Sequence, residues 1–197
     1  MRKTTVILVV MFLQSCMVMI NENDYRMLQE TDKSMFKPYS AVSESGSGNT
    51  GDLFLYEINT PQMLQRMKYN HYTWIHLWRP YCTSDYCTHI DYFFNLAGKY
   101  TLKGLDLLFI SECYGVRNIK QKLADTASHH TFYVLEDKYY GHKLNPARQK
   151  FMKDLGIEIT KQNKWGYDDY IFKDTTLIFK GDHIGETTID SLISLYH

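Results

Sequence analysis

The chain has 197 residues, with 22 basic and 22 acidic side chains and 44% hydrophobic residues. This length and apolar content suffice for one globular domain with a buried core, and they exclude a disordered, collagen-like or multi-pass membrane protein. The balanced charge argues against a protein that binds nucleic acid through a basic surface. Four cysteines are too few for a disulfide-rich scaffold, so the meaning of each depends on its position.

The first residues of the chain have the pattern of a secretory signal. Arg2 and Lys3 precede an apolar run over residues 6–13, which is too short to span a bilayer as a helix. Every interpretation of this segment predicts that the rest of the chain is exported. Disulfides can form in such compartments.

The segment Leu13-Gln14-Ser15-Cys16 resembles the lipobox of bacterial lipoproteins. This resemblance implies that residues 1–15 are a cleaved signal peptide and that Cys16 is lipidated. It also implies a location in the bacterial cell envelope, attached to the membrane by lipid and facing the periplasm or the exterior. A plain cleaved signal and an uncleaved anchor, prolonged by the apolar residues 17–20, are the alternatives.

Residues 16–52 are predicted to form a flexible tether, with the globular domain over residues 53–197. The tether is polar from residue 21 onward and ends in a Gly/Ser tract over residues 43–50. Such a tract buries too little apolar surface to offset its ordering entropy.

From residue 53 onward, strand patterns alternate with helix patterns. Thr60 precedes Pro61 as the predicted N-cap of the first helix, and Gly104 and Gly156 are predicted to end later helices. The alternation predicts an α/β sandwich with a central mixed sheet, mostly parallel, with an antiparallel hairpin near the C-terminus. The predicted strands are 53–58, 74–78, 105–111, 131–135 and 175–179, and a turn at 180–182 leads to a last strand at 183–185. The first predicted helix begins at residue 60, and the others cover 90–100, 116–124, 145–155 and 188–195.

The main chemical candidate is the pair Cys82 and Cys87, which are separated by four residues. They lie between a buried strand and an amphipathic helix whose predicted N-cap is Ser84 or Asp85. This would place Cys87 in the first helical turn, where free backbone N–H groups and the helix dipole lower the pKa of a thiol. The short connection also allows the two sulfurs to form a disulfide.

Trp78, the pair Tyr81-Cys82 and the following helix resemble the active-site strand and helix of the thioredoxin superfamily, in particular its membrane-anchored, periplasm-facing bacterial oxidoreductases. The resemblance covers residues 53–197 and implies a thioredoxin-like three-layer sandwich. It implies thiol-disulfide exchange in which Cys82 attacks and Cys87 resolves the mixed disulfide. Exported proteins or peptides would be the substrates, a second redox protein would recycle the pair, and no dissociable cofactor would be needed.

Two features depart from the pattern of that superfamily. The superfamily has two residues between its cysteines, so Asp85 takes the second cysteine's place if Cys82 is the first, and Ser84 takes the first cysteine's place if Cys87 is the second. A cis-proline is also expected opposite the disulfide, whereas Asp174 stands there, before Thr175. A trans peptide, a reshaped substrate groove and a raised thiol pKa beside the Asp174 carboxylate are the expected consequences. The groove candidates are Trp78, Tyr81, Asp85, Asp174 and Thr175.

These departures favour a second interpretation, in which the protein is a non-catalytic thioredoxin-fold binding lipoprotein and the two cysteines are structural. Cys113 follows the strand 105–111 and is predicted to be a small apolar filler, although it could lie near the other two sulfurs. His76 is predicted to be a core residue with a partner. No histidine has neighbours at the spacing of a zinc site, so no metal is predicted.

Overall fold

A computed structural model describes residues 25–40, 53–84, 87, 89–123, 130–161 and 166–196. The predicted signal peptide 1–15, the lipidation site Cys16, the Gly/Ser tract 43–50 and Asp85 lie outside the described residues.

Within these ranges the chain forms seven strands and seven α-helices. The strands are β1 (Phe36–Pro38), β2 (Leu55–Ile58), β3 (Tyr72–Trp78), β4 (Leu105–Ser111), β5 (Phe132–Leu135), β6 (Asp169–Lys173) and β7 (Thr176–Gly181). The α-helices are α1 (Glu30–Lys33), α2 (Thr60–Met67), α3 (Ile90–Gly98), α4 (Val116–Leu123), α5 (Asp137–Tyr140), α6 (Leu144–Asp154) and α7 (Glu186–Tyr196).

The strands form one mixed sheet in the order β1-β2-β5-β4-β3-β6-β7. The first five strands of that order run parallel, β6 runs antiparallel to β3, and β7 runs antiparallel to β6. Helices α3, α4 and α7 contribute buried apolar side chains to one face, and α2, α5 and α6 to the other. The predicted α/β sandwich with a central mixed sheet is therefore confirmed.

Strand β3 is the centre of the molecule, and all seven of its residues are buried. Side chains alternate between the faces, so Trp74 packs in one core and Ile75 in the other. The His76 Nδ1 lies 2.7 Å from the Asp169 Oδ1 of the neighbouring β6, and both residues are buried. His76 is therefore a core residue with a partner, as predicted.

The start of α2 differs by one residue from the prediction. Asn59, not Thr60, is the N-cap: its side chain accepts from the Gln62 N–H, and the Gln62 side chain accepts from the Asn59 N–H. Thr60 is the first helical residue, and its hydroxyl lies 2.6 Å from the Tyr140 hydroxyl. The Thr60 side chain, which was expected to cap the helix, thus forms a buried hydrogen bond with Tyr140 instead.

The tether prediction is wrong for residues 25–40. This N-terminal arm contains α1 and adds β1 to the edge of the sheet, in parallel register with β2. Phe36 is buried, and its ring and that of Tyr25 both pack against Tyr114, with centroids 4.7 and 4.9 Å from the Tyr114 ring. The arm is part of the folded domain because these aromatic contacts offset its ordering entropy.

The C-terminal hairpin was predicted in the wrong place. Its strands are β6 and β7, which pair from Lys173 with Thr176 to Asp169 with Gly181, and its turn is at Asp174-Thr175. The predicted turn at 180–182 and return strand at 183–185 are therefore wrong. Strand β6 was not predicted, because its first residue, Asp169, is polar. In the structure the buried Asp169 carboxylate accepts from Trp74 Nε1 and contacts the His76 ring.

Candidate functional site

The candidate site is the loop that follows β3. Pro80 stands two residues after the last strand residue, and a disulfide joins Cys82 to Cys87 with a Cα–Cα distance of 5.8 Å. The predicted pairing of these cysteines is confirmed. Because β3 and β4 are parallel, the loop lies at the sheet edge where both strands end.

Backbone hydrogen bonds shape the loop into two turns. The Cys82 N–H donates to the Arg79 carbonyl, and the Cys87 N–H donates to the Ser84 carbonyl, both at 3.0 Å. Helix α3 begins only at Ile90, with His89 as its N-cap. Cys87 is itself helical, as predicted, but it precedes α3 by three residues and so does not lie in the first turn of α3.

The Ser84 hydroxyl contacts both sulfurs of the disulfide. Its Oγ lies 3.2 Å from the Cys82 Sγ and donates to the Cys87 Sγ at 3.3 Å. Ser84 is exposed and both cysteines are half-buried. The disulfide is therefore within reach of solvent and of a second polypeptide.

A lysine from α4 contacts the first cysteine. The Lys122 Nζ donates to the Cys82 carbonyl and stands 6.0 Å from the centre of the Trp78 ring. Partial burial lowers the pKa of Lys122 below its ordinary value. Among the described residues no carboxylate pairs with this ammonium.

On the other side of the loop, two arginines and two carboxylates form a compact network. Arg79 contacts Glu112 at 3.2 Å and Asp168 at 2.7 Å. Arg148 pairs with the same two carboxylates, contacting Asp168 at 3.0 Å. Burial raises the pKa of Glu112, and the two arginines act in the opposite direction. The network compensates its own charge and fixes the base of the loop.

A cavity of about 230 Å³ opens beside this network. Tyr81 lines it with 40% of its surface exposed, and burial of its hydroxyl raises the pKa of Tyr81. The cavity has room for one amino-acid side chain beside Tyr81, the residue before Cys82. Its lining residues are Arg79, Tyr81, Glu112, Leu144, Asn145 and Arg148.

Two of the predicted groove residues lie at the opposite end of the sheet. Tyr72, the first residue of β3, pairs with Lys173, so Asp174 and Thr175 lie beyond the start of β3. Six strand residues at about 3.3 Å each place them about 20 Å from the end of β3. The predicted effect of Asp174 on the thiols is therefore wrong, and its carboxylate instead faces the His71 Nδ1 at 3.9 Å.

Asp168, and not Asp174, lies beside the end of β3 that carries the disulfide loop. The Leu77 N–H donates to the Asp168 carbonyl at 2.8 Å, one residue before β3 ends. Trp78 is only 1% exposed, so it supports the loop from below and does not line a groove. Of the predicted groove residues within the described ranges, only Tyr81 presents an exposed side chain at the disulfide edge.

The third sulfur belongs to the core. Cys113 carries a buried thiol, 3% exposed, and burial raises its pKa to about 12. It is therefore protonated at neutral pH and behaves as the small apolar filler that the sequence predicts. Within the described ranges, no three His, Cys, Asp or Glu side chains are grouped to hold a metal ion.

The sequence prediction missed the charged groups around the loop. Glu112 directly follows β4 and could have been found, because parallel strands end at a common edge. Lys122 and Arg148 lie on helices far along the chain, and no local pattern links them to Cys82.

No helix of the described part is long and apolar enough to cross a membrane.

No protein-family model matches the chain, and no curated protein is significantly similar to it.

Proposed function

We propose that this protein is a thioredoxin-like lipoprotein of the bacterial cell envelope that performs thiol-disulfide exchange through Cys82 and Cys87. The observation that carries the proposal is the half-buried disulfide at the carboxyl end of the central strand, with an exposed hydroxyl against both sulfurs. Strand β3, the disulfide loop, helix α3 and strand β4 follow one another in the order that the thioredoxin resemblance implies.

In the reducing direction, the Cys82 thiolate attacks a disulfide of an exported protein. A Cys82–substrate disulfide forms and one substrate thiolate leaves. The Cys87 thiolate then attacks the Cys82 sulfur, which restores the Cys82–Cys87 disulfide and releases the second substrate thiolate. Two electrons pass from the dithiol to the substrate, and a dithiol protein must return two electrons for the next cycle. The oxidising direction is the reverse of these steps.

The proposed location follows from residues outside the described part of the chain. Cleavage after residue 15 and lipidation of Cys16 would place the domain outside the cytoplasm, where a disulfide persists. Mass spectrometry of the N-terminal peptide, purified from membranes of a bacterial host, tests this location. A lipid-modified Cys16 is expected, and an unmodified peptide that begins elsewhere would contradict it.

The Cys82→Ser variant tests the exchange reaction. We expect it to lose reduction of a small disulfide-linked peptide while it keeps the melting transition of the reduced wild-type protein. Cys113→Ser is the matched control, because it removes a thiol that the structure buries away from solvent. Full exchange activity in Cys82→Ser would refute the proposal.

One observation favours a second candidate function, a non-catalytic binding lipoprotein with a structural disulfide. Both ends of the loop are tied down, since Trp78 Nε1 donates to the Cys87 carbonyl and Lys122 donates to the Cys82 carbonyl. The reduction potential separates the two functions. A pair that titrates between about −270 and −120 mV matches exchange proteins, whereas one below about −300 mV is a structural disulfide.

A further inference from the structure

We propose that Lys122 is a positioning residue that stabilises the Cys82 thiolate and so makes Cys82, not Cys87, the attacking sulfur. This inference rests on the proposed function and names the group that would regulate its nucleophile.

The placement of Lys122 is fixed by the helix that carries it. Val116, Ile119 and Leu123 of α4 are buried in the core that contains Trp78. This packing holds the ammonium against the loop, where it donates to the Cys82 carbonyl and lies over the Trp78 ring. The lysine that makes this contact is thus carried by a packed helix and not by a mobile surface segment.

The charge of Lys122 is not compensated by the described residues, in contrast to the other cations nearby. Arg79 and Arg148 share Glu112 and Asp168, which forms a network of two positive and two negative groups. The other described titratable groups of the loop are Tyr81, Cys87 and His89, and Cys113 follows the neighbouring β4; Asp85 and Tyr86 lie outside the described residues. Helix α3 adds Asp91 and Tyr92, and α4 adds Arg117 and Lys120, which pairs with Asp32.

The two cysteines have different polar surroundings on their backbones. An ammonium binds the Cys82 carbonyl, whereas the neutral indole of Trp78 binds the Cys87 carbonyl. The Ser84 hydroxyl contacts both sulfurs at nearly equal distance and does not discriminate between them. After reduction, the Cys82 thiol loses its proton to solvent, and the Lys122 ammonium bound at the carbonyl of the same residue stabilises the thiolate that forms.

The test measures each thiol separately in the chain that begins after the signal peptide. The single-site variants Cys87→Ser and Cys82→Ser leave one loop thiol each, and the rate of alkylation by iodoacetamide is followed against pH. Peptide mass mapping separates this alkylation from any reaction of Cys16 or Cys113. No exchange substrate is present, so the result is independent of whether the protein catalyses exchange.

Lys122→Met is expected to raise the pKa of the Cys82 thiol by about 0.5–1 unit, which lowers its thiolate fraction at pH 7 about three- to tenfold. Lys122→Arg keeps the positive charge and should retain the wild-type profile. Lys120→Met is the matched control: Lys120 lies on the same helix but pairs with Asp32 at 2.9 Å. It should leave the Cys82 profile unchanged.

Three results would overturn the inference. They are an unchanged Cys82 profile in Lys122→Met, an equal shift in Lys120→Met, or a larger shift at Cys87 than at Cys82. If Lys122 shifts the thiol as expected but the wild-type protein does not reduce the peptide, only the proposed exchange function fails.

Discussion

The indole N–H of Trp78 donates to the carbonyl of Cys87 at 3.1 Å, which ties the end of the central strand to the far end of the disulfide loop. The Trp78 ring is buried and packs 5.6 Å from the Phe109 ring of β4. One side chain therefore fixes both the core below the disulfide and the position of its second cysteine.

Trp78→Phe should lower the free energy of unfolding by about 1–3 kcal/mol, because the Cys87 carbonyl loses its donor and the smaller ring leaves a gap. Urea denaturation of the oxidised protein measures this. Tyr69→Phe is the control, since the Tyr69 ring is exposed and should change stability by less than about 0.5 kcal/mol. Equal stability of Trp78→Phe and wild type would show that the indole contact does not hold the loop.

Arg148→Met should cost about 3 kcal/mol or more at pH 8, because it leaves the buried Glu112 carboxylate with one of its two cationic partners. Replacing Glu112 as well, in Arg148→Met/Glu112→Gln, removes the buried charge and should recover much of the loss. Urea denaturation of the two variants measures the difference.

The same variant should show a defined pH dependence. Burial raises the folded-state pKa of Glu112 above its ordinary value of 4.5, and loss of Arg148 raises it further. A raised carboxyl pKa costs stability as pH rises above the unfolded-state pKa, so the deficit of Arg148→Met should shrink from pH 8 to pH 5. A deficit of constant size would contradict this account of the network.

Phe36→Ala should lower the free energy of unfolding by about 3 kcal/mol, because Phe36 is buried against Tyr114 in the N-terminal arm. The matched control in the arm is Asp32→Ala, which removes a partly exposed ion pair with Lys120 and should cost no more than about 0.5–1 kcal/mol. Thermal unfolding of the two variants compares them. If both behave alike, the arm is a tether after all.

Asp174→Asn should leave the pH profile of Cys82 alkylation unchanged, because the turn that carries Asp174 lies at the opposite end of β3. Asparagine also tolerates the positive φ of 53° at this position, so the hairpin should keep its fold. A fall in the Cys82 pKa by half a unit would place the Asp174 carboxylate near the thiol and refute the assignment of Asp168 to that place.

Much of the fold was predictable because local patterns are strong where strands are apolar. Strand β4 has the predicted limits, and the core strand β3 was located by its aromatic run. Strand β6 was missed because its first residue, Asp169, is polar, and only the partners Trp74 and His76 make its burial acceptable. Because β6 was missed, the hairpin was predicted one strand too late, and Asp174 was predicted at the end of the sheet opposite to its actual position.

The α/β class, the disulfide pair and the position of that pair after a buried strand follow from the amino-acid sequence, since they depend on periodicity and on close spacing along the chain. The charges that surround the disulfide follow only from the packing of the folded chain. Lys122, Glu112 and Asp168 reach the loop from a helix and from two other strand ends. Parallel packing brings segments that are distant in sequence to one sheet edge, and side-chain direction at that edge depends on strand register, which no local sequence pattern specifies.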